Sequence, residues 1–349
     1  MSMQRVANYG SFLQAYGLMT TIKELGFNNV KFVDYEFGED IVPEKKNKRL
    51  AKFLNNPSLI DRKKRNEART RFRKAYSAFL KDLGITEEFD YDKDLDTLVI
   101  GSDEVFNCMQ HYPVGYSKGL FGKGYEKSNV LSYAASFGHT TLQNLKEKSI
   151  DTEIGEMLSR FRAISVRDEN SKKIVEELTD KQPEIFLDPV LISNYPEVNA
   201  KMPCKDYIIV YAYQNRLSRA EEKAIRKLAK KYNKKVVSLG FYQRCADYNL
   251  IVEPLEVLSI FKGADYVVTD TFHGSIFSIK TNRKFCTLVR SSNKNKLVSL
   301  LKKMHCEEQI ANNISDIERI YENGIDFTAC NKVIEEETKK SRKFLQENL

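Results

Sequence analysis

Only four of the 349 residues are histidine and only six are cysteine. The cysteines (Cys108, Cys204, Cys245, Cys286, Cys306 and Cys330) lie far apart, with no CxxC pair. Scattered thiols without clustered histidines argue against a zinc site and a disulfide framework, suit a reducing compartment, and leave each cysteine as a small core residue. No apolar run approaches the ~18 residues that span a bilayer, and no charged-then-apolar leader opens the chain, so the expected location is the cytoplasm. Cofactor signatures are absent too. There is no GxGxxG, no GxxxxGK[ST] and no GxSxG, and "FGKG" at Phe121 to Gly124 has the wrong spacing for a phosphate loop. The "DLD" of Asp94 to Asp96 imitates a metal-binding DxD but precedes an expected strand rather than following one, and reads as a loop. No repeat or low-complexity segment occurs.

What is present is a globular composition, 42% hydrophobic and 30% charged, with length enough for two domains. Apolar residues at Ala15, Leu18, Ile22 and Leu25 mark a helix from Ser11 to Leu25, with Asn8 and Ser11 as cap residues and Gly26 closing it. "VKFVDY", Val30 to Tyr35, reads as a strand. A helix followed by a strand belongs in a βαβ unit, so a further strand is expected before Asn8, where little chain is left to form one. Strands are expected at Thr97 to Ile100, "NVLSYAAS", "AISVRD", "EIFLDPV", "YIIVYAY", "KKVVSLG", "DYVVTD" and "KFCTLVR". Helices fall between them at Ile154 to Phe161, Asn170 to Leu178, Ser218 to Tyr232 and Leu255 to Phe261. "NKLVSLLKKM" and the charged segment from Phe327 to Leu349 end the chain as helices. Strands alternating with helices predict parallel sheets with covered faces. The fold class is therefore α/β, with two Rossmann-like domains facing a cleft: residues 1–192, carrying a basic helical insert at about 43–95, and residues 193–349, joined through the polar stretch from Ser193 to Asp206.

Charge is unevenly placed. Between Lys45 and Lys74 stand thirteen basic residues against Asp61 and Glu67, more than the chain's net charge of +8, so the remainder is net acidic. Interleaved apolars (Leu50, Phe53, Leu54, Phe72, Tyr76, Phe79, Leu80) suggest amphipathic helices that either lie on an anionic partner, such as a membrane surface, an acidic acceptor or nucleic acid, or form a solvated hairpin.

The polar residues of interest collect at the carboxyl ends of the expected strands, where parallel sheets hold their ligands: Asp103, Ser136, Arg167, Asp188, Asp270 and His273. In "VVTDTFHGSIFS" His273 falls where a strand gives way to a helix expected over Ser275 to Lys280. That junction attracts anions, although a histidine there can also merely fill a turn. Arg167 directly follows a strand, and its guanidinium fork suits a carboxylate or phosphate, or an ion pair with a nearby acid such as Asp168.

With these residues in view, the chain resembles the polysaccharide pyruvyl transferase family. The resemblance runs through "NYGSFLQAYGL", "VIGSDEVFN", "SYAASFG", "ISVRDENS", "LDPVLI", "VVTDTFHGS" and "NKLVSLL". It implies a GT-B-like pair of Rossmann domains, acceptor side first and donor side second. The implied reaction transfers the enolpyruvyl group of phosphoenolpyruvate to a sugar of a cell-surface or exopolysaccharide precursor as a pyruvate ketal. No metal or organic cofactor and no nucleic acid is implied. Carried over by motif, His273 is the catalytic-site histidine and Asp103 lies near the acceptor hydroxyl, while Arg167 and Lys296 hold the donor's carboxylate and phosphate. Asn8, Ser102, Ser136, Asp270, Thr271, Gly274 and Ser275 are expected to bind substrate. Where many members have an arginine and a small or apolar residue before the histidine, this chain has Thr271 and Phe272, so one donor-binding cation is either absent or supplied by Arg283 or Arg290. A saccharide acceptor, lipid-linked in one version, would bring the basic segment of residues 45–74 to the inner face of the membrane. Two other readings stand beside this one: a GT-B glycosyltransferase using a nucleotide sugar, and a non-catalytic protein that holds an anionic surface.

Overall fold

The computed structural model describes residues 1–42, 59–111, 113–290 and 293–349; the start of the basic segment, residues 45–58, lies outside the described residues. Two parallel sheets organise the chain. The first has the order β1 (Thr97–Asp103), β2 (Asn129–Ala135), β3 (Ala163–Val166), β4 (Glu184–Ile185). The second contains β5 (Tyr207–Tyr211), β6 (Lys235–Leu239), β7 (Tyr248–Leu250), β8 (Tyr266–Thr269), β9 (Phe285–Leu288) and β10 (Ile310–Ala311), in the order β10-β9-β8-β5-β6-β7. β5, β8 and β9 are buried along their whole length, which is why their sequences are apolar runs rather than alternations. The strand order of this sheet reverses between β5 and β8, and a crevice opens at the carboxyl ends of strands at such a point. Two parallel α/β units facing a cleft are thus the observed architecture, GT-B-like as expected.

Helices cover both sheets: α1 (Tyr9–Glu24), α2 (Leu59–Phe79), α3 (Leu142–Glu147), α4 (Asp151–Ser159), α5 (Glu169–Leu178), α6 (Pro189–Ile192), α7 (Arg219–Lys231), α8 (Glu256–Gly263), α9 (Phe272–Lys280), α10 (Lys294–Lys303), α11 (Asp316–Asn323) and α12 (Thr328–Asn348). Side-chain caps set several starts. Asn8 accepts from Gly10 N at α1, Asp168 from Ser171 N at α5, Asp188 from Val190 N at α6, and Thr271 from Gly274 N at α9. At α7 Ser218 and Glu221 form a reciprocal capping box.

The structure corrects several sequence expectations. "VKFVDY" joins no sheet: Asp34 N bonds to Asp90 O and Val33 O accepts from the Gln4 side chain, so this stretch is held by a loop and side chains instead of a ladder. The edge of β1 is instead met by the first residues, with Met1 N donating to Val99 O and Gly101 N to Met1 O. β1, expected to end at Ile100, continues through Gly101 and Ser102 to Asp103. α9 begins at Phe272, three residues ahead of the expected start, so His273 lies in its first turn rather than before it; the Thr271 cap is the reason.

One apolar cluster joins the two halves. It includes Tyr9, Phe12 and Leu13 of α1, Val190 and Leu191 of α6, Ile276 and Phe277 of α9, and Phe344 and Leu345 of α12. α12 returns to the first half, where the Phe344 ring packs on Phe186 at 5.1 Å. Lys280, at the end of α9, donates to Leu191 O and Ser193 O at 2.9 and 2.8 Å, and burial pulls its ammonium down to about 8. α2, the described part of the basic segment, buries Phe72 and Tyr76. Phe72 meets Tyr9 at 5.0 Å and Phe241 at 6.0 Å, so this helix also bridges the halves. All six cysteines are unbonded and five are buried. No described helix is long and apolar enough to cross a membrane.

Because Phe72 fills a site between α1 and the second half, Phe72→Ala should destabilise the protein by about 3 kcal/mol or more, read as a lower midpoint in urea unfolding.

Candidate functional site

At the centre of the cleft Arg167, one residue beyond β3, is buried against two carboxylates. Its Nη1 lies 3.0 Å from Asp188 Oδ2 and its Nη2 3.4 Å from Asp103 Oδ1, and the guanidinium rests 4.4 Å over the Phe272 ring. Each element brings its residue for a local reason. Asp188 caps α6 and carries no exposed surface. Asp103 ends β1 and accepts from Ser11 Oγ of α1 at 3.1 Å. Burial pushes both carboxyls up, but their cationic neighbours outweigh it: Arg167 and His273 for Asp103, and His273 and Arg167 for Asp188. Both are held below the ordinary carboxylate value. Burial works against the charged guanidinium of Arg167, yet the same two aspartates raise its pKa.

His273 meets this network from the other half. Its Nε2 lies 3.4 Å from Asp188 Oδ2 without hydrogen-bond alignment, and is buried with no hydrogen-bond partner among the described residues. Such an orphaned polar atom is costly unless a ligand or water completes it. The ring sits against the first turn of α1, where a Cβ on Gly10 would collide with it, so only glycine permits this approach. Lys296 of α10 reaches across the cleft to Glu104 at 2.7 Å and stands 5.9 Å from the Phe272 ring.

A second polar group lies at the reversal point of the second sheet. Asp270 is fully buried; its Oδ1 accepts from Tyr213 N, and its Oδ2 has no hydrogen bond among the described residues but stands 3.8 Å from Arg216 and 3.7 Å from Arg290. Burial raises its pKa against the pull of these arginines. Arg290 is already gripped by both carboxylate oxygens of Glu221, at 2.7 and 3.1 Å. Arg216 lies over the Tyr213 ring at 4.8 Å and its side chain is a third exposed. Asn8 Nδ2 donates to Tyr213 OH at 3.0 Å, tying the start of α1 to this group.

The geometry thus gathers His273, Asp103, Arg167, Lys296, Asn8 and Asp270 around the cleft. It places other expected substrate contacts elsewhere. Ser275 Oγ bonds to Thr287 Oγ1 of β9 inside the sheet, fully buried. Gly274 spends its N–H on the Thr271 cap, and its missing Cβ is where Thr269 Oγ1 lies. Thr271 itself is engaged in capping and with Thr269. Ser102 accepts from Asp103 N and is sealed by Gln14 and Ser2. Ser136 Oγ donates to Asp168 at 2.6 Å and accepts from Gly138 N. These five residues shape the backbone around the cleft. Of the two substitute cations considered, Arg283 follows α9 at the end opposite His273, whereas Arg290 reaches Asp270. Sequence reasoning missed Glu104, Phe272, Tyr213 and Arg216 as parts of the site; Glu104 and Phe272 stood inside the quoted motifs. No His, Cys, Asp and Glu cluster suited to a metal occurs among the described residues.

The sequence matches the family model for polysaccharide pyruvyl transferase over residues 8–292, and the chain belongs to that family. No curated protein matches it. Solved structures with a similar course include UDP-bound MnaA of S. aureus, at 12% identity over 93% of this chain and 88% of that one, TM-score 0.44. Another is the UDP-GlcNAc 2-epimerase of Neisseria meningitidis bound to UDP-GlcNAc, at 11% identity over 84% and 82%, TM-score 0.43. An O-GlcNAc transferase mutant of Thermobaculum terrenum is similar at 10% identity over 82% of this chain, TM-score 0.36; this chain spans 52% of its length.

Asp188→Asn leaves Arg167 buried with one carboxylate and should cost about 3 kcal/mol in denaturant unfolding at neutral pH. Because the folded-state pKa of Asp188 lies below its ordinary 3.8, its stabilisation is present above that value and is lost as pH falls through the lower, folded one. The gap between wild type and Asp188→Asn should therefore narrow under strongly acidic conditions.

Proposed function

We propose that this protein transfers the pyruvyl unit of phosphoenolpyruvate to two hydroxyls of one saccharide, forming a ketal and releasing phosphate. The observation that supports it is the convergence of Arg167, Lys296 and the unpartnered Nε2 of His273 on one cleft in a chain of this family. A donor carrying carboxylate and phosphate needs cations with fixed geometry, and a guanidinium offers two parallel donors. Arg167 and Lys296 come from opposite halves, so in this reading the donor is held by both. Arg216 supplies the cation that Thr271 does not.

The chemistry balances without a further reactant. The donor's C=C electron pair takes a proton at the methylene carbon as the first hydroxyl bonds to the neighbouring carbon. The second hydroxyl then bonds to that carbon as the C–O bond to phosphate breaks and phosphate leaves with the electron pair. Of the two hydroxyl protons, one replaces that delivered to the methylene carbon and the other leaves with phosphate. In this scheme His273 carries the proton, with the Asp188 carboxylate 3.4 Å away favouring its charged form and Asp103 placed to accept from the acceptor, an effect worth roughly 10²–10⁴ in rate.

Calorimetric titration with phosphoenolpyruvate and with nucleotide sugars tests the reading. Phosphoenolpyruvate should bind, Arg167→Ala should weaken that binding, and His273→Ala should lower phosphate release by at least ~10²-fold. Binding of a nucleotide sugar in its place would move the function to glycosyl transfer.

The exposed basic face of α2, with Lys63, Lys64, Arg69, Arg73 and Lys74, supports a peripheral contact with the inner face of a membrane, next to a lipid-linked acceptor. Sedimentation with anionic vesicles should carry down the wild type at low salt and leave behind a variant with these five residues reversed to glutamate; equal behaviour of the two would remove the membrane contact.

A further inference from the structure

A second concave surface lies on the first half, away from the cleft. It is a groove of about 470 Å³ walled by Tyr35, Phe37, Tyr91, Tyr116 and Tyr125. Three aromatic rings gather at its rim in the open: Phe37 is 45% exposed, Phe89 41% and Tyr91 43%. A single exposed ring needs no explanation, but a contiguous set on a concave surface marks a contact site. The rings are also held still. Phe89 and Tyr91 stack at 5.7 Å with planes 6° apart, and Phe37 meets Phe89 edge-on at 5.7 Å. The Arg5 guanidinium lies 4.3 Å over Phe89 and is fixed by Asp34 through bonds of 2.6 and 2.7 Å. A rigid aromatic platform binds without the entropy cost of ordering its side chains.

Charges of both signs border the rings: Glu36 and Glu39 on one strip, Lys93 and Lys123 near the other. A polyanion would be repelled by half of these groups, and an apolar partner would have to desolvate all of them. A ligand with flat C–H faces for the rings, and hydroxyls that donate to carboxylates and accept from ammoniums, satisfies both. That ligand class is saccharide. The chain passes from the cleft at Glu104 to the groove at Tyr116. Glu104 at one end pairs with Lys296, and Tyr116 at the other forms an antiparallel bridge with Glu39.

We propose that this groove is a saccharide subsite, which takes sugar residues of the acceptor beyond those that react. The proposal rests on the saccharide-acceptor reading above and needs nothing of the donor. It fixes a length preference, since a chain reaching both groove and cleft gains contacts that a single sugar cannot.

Saturation-transfer NMR and calorimetry with cellohexaose, maltohexaose and chitohexaose as probes, in the absence of phosphoenolpyruvate, test it. The wild type should bind at least one probe, and Tyr91→Ala and Phe37→Ala should each weaken that binding by about fivefold or more, the scale of a lost stacking contact. Ile314→Ala, at an exposed apolar residue elsewhere, should leave it unchanged. Failure of the wild type to bind any probe, or equal binding by both ring variants, would overturn the subsite. A protein that binds saccharide through these rings yet never consumes phosphoenolpyruvate would keep the subsite and lose the donor reading.

Discussion

A buried guanidinium must be answered by anions, and Arg167 obliges three separate elements to answer it. Asp188 comes from the cap of α6, Asp103 from the end of β1, and the Phe272 face from the start of α9. Removing two or three charges from water costs several kcal/mol each unless their geometry is fixed, so the backbone around them is constrained in turn. Asp188 can hold Arg167 only if α6 begins at Pro189. Asp103 can do so only if α1 presents Ser11, and α1 can approach only because Gly10 admits the His273 ring. The ionic centre thus ties β1, β3 and α6 of the first half together, and His273 and Phe272 bring the second half against it.

The same centre leaves a donor-bearing ring unpartnered although its acids are matched to its cations. Asp188 and Asp103 are both paired with Arg167, yet His273 Nε2 has no hydrogen bond among the described residues. The site at the sheet reversal has a complementary imbalance, for Asp270 Oδ2 and Arg290 Nε face each other at 3.7 Å without bonding. Orphaned atoms on two sides of one cleft are the pattern left by groups that wait for a partner.

Much of this was legible in the sequence, and the failures have physical causes. Apolar runs such as "YIIVY" and "YVVT" declared buried parallel strands, and Arg167, Asp103 and His273 stood at strand ends as the fold requires. Ser275 and Gly274 misled because a motif shows which residues travel together, not which way they face. One turn of helix separates His273 at the cleft from Ser275 in the sheet core. "VKFVDY" misled because β propensity describes a half-buried extended chain, and this stretch is extended and half-buried but finds its partners in Gln4 and a loop. Arg216 could not be found at all: a lone arginine after a strand becomes part of a site only once Asp270, distant in sequence, is folded beside it.

The halves are also joined in a way that restricts how substrate enters. α1, α6, α9 and α12 share one apolar cluster, and Phe72 of α2 spans from Tyr9 to Phe241. A wide hinge opening would expose all of these at once, at roughly 25 cal/mol for each Å² of apolar surface. Side-chain rearrangement costs far less. The Lys296–Glu104 pair is about a quarter exposed on each side and carries no backbone with it when it parts. In a chain so clamped, parting that surface pair costs far less than parting the halves.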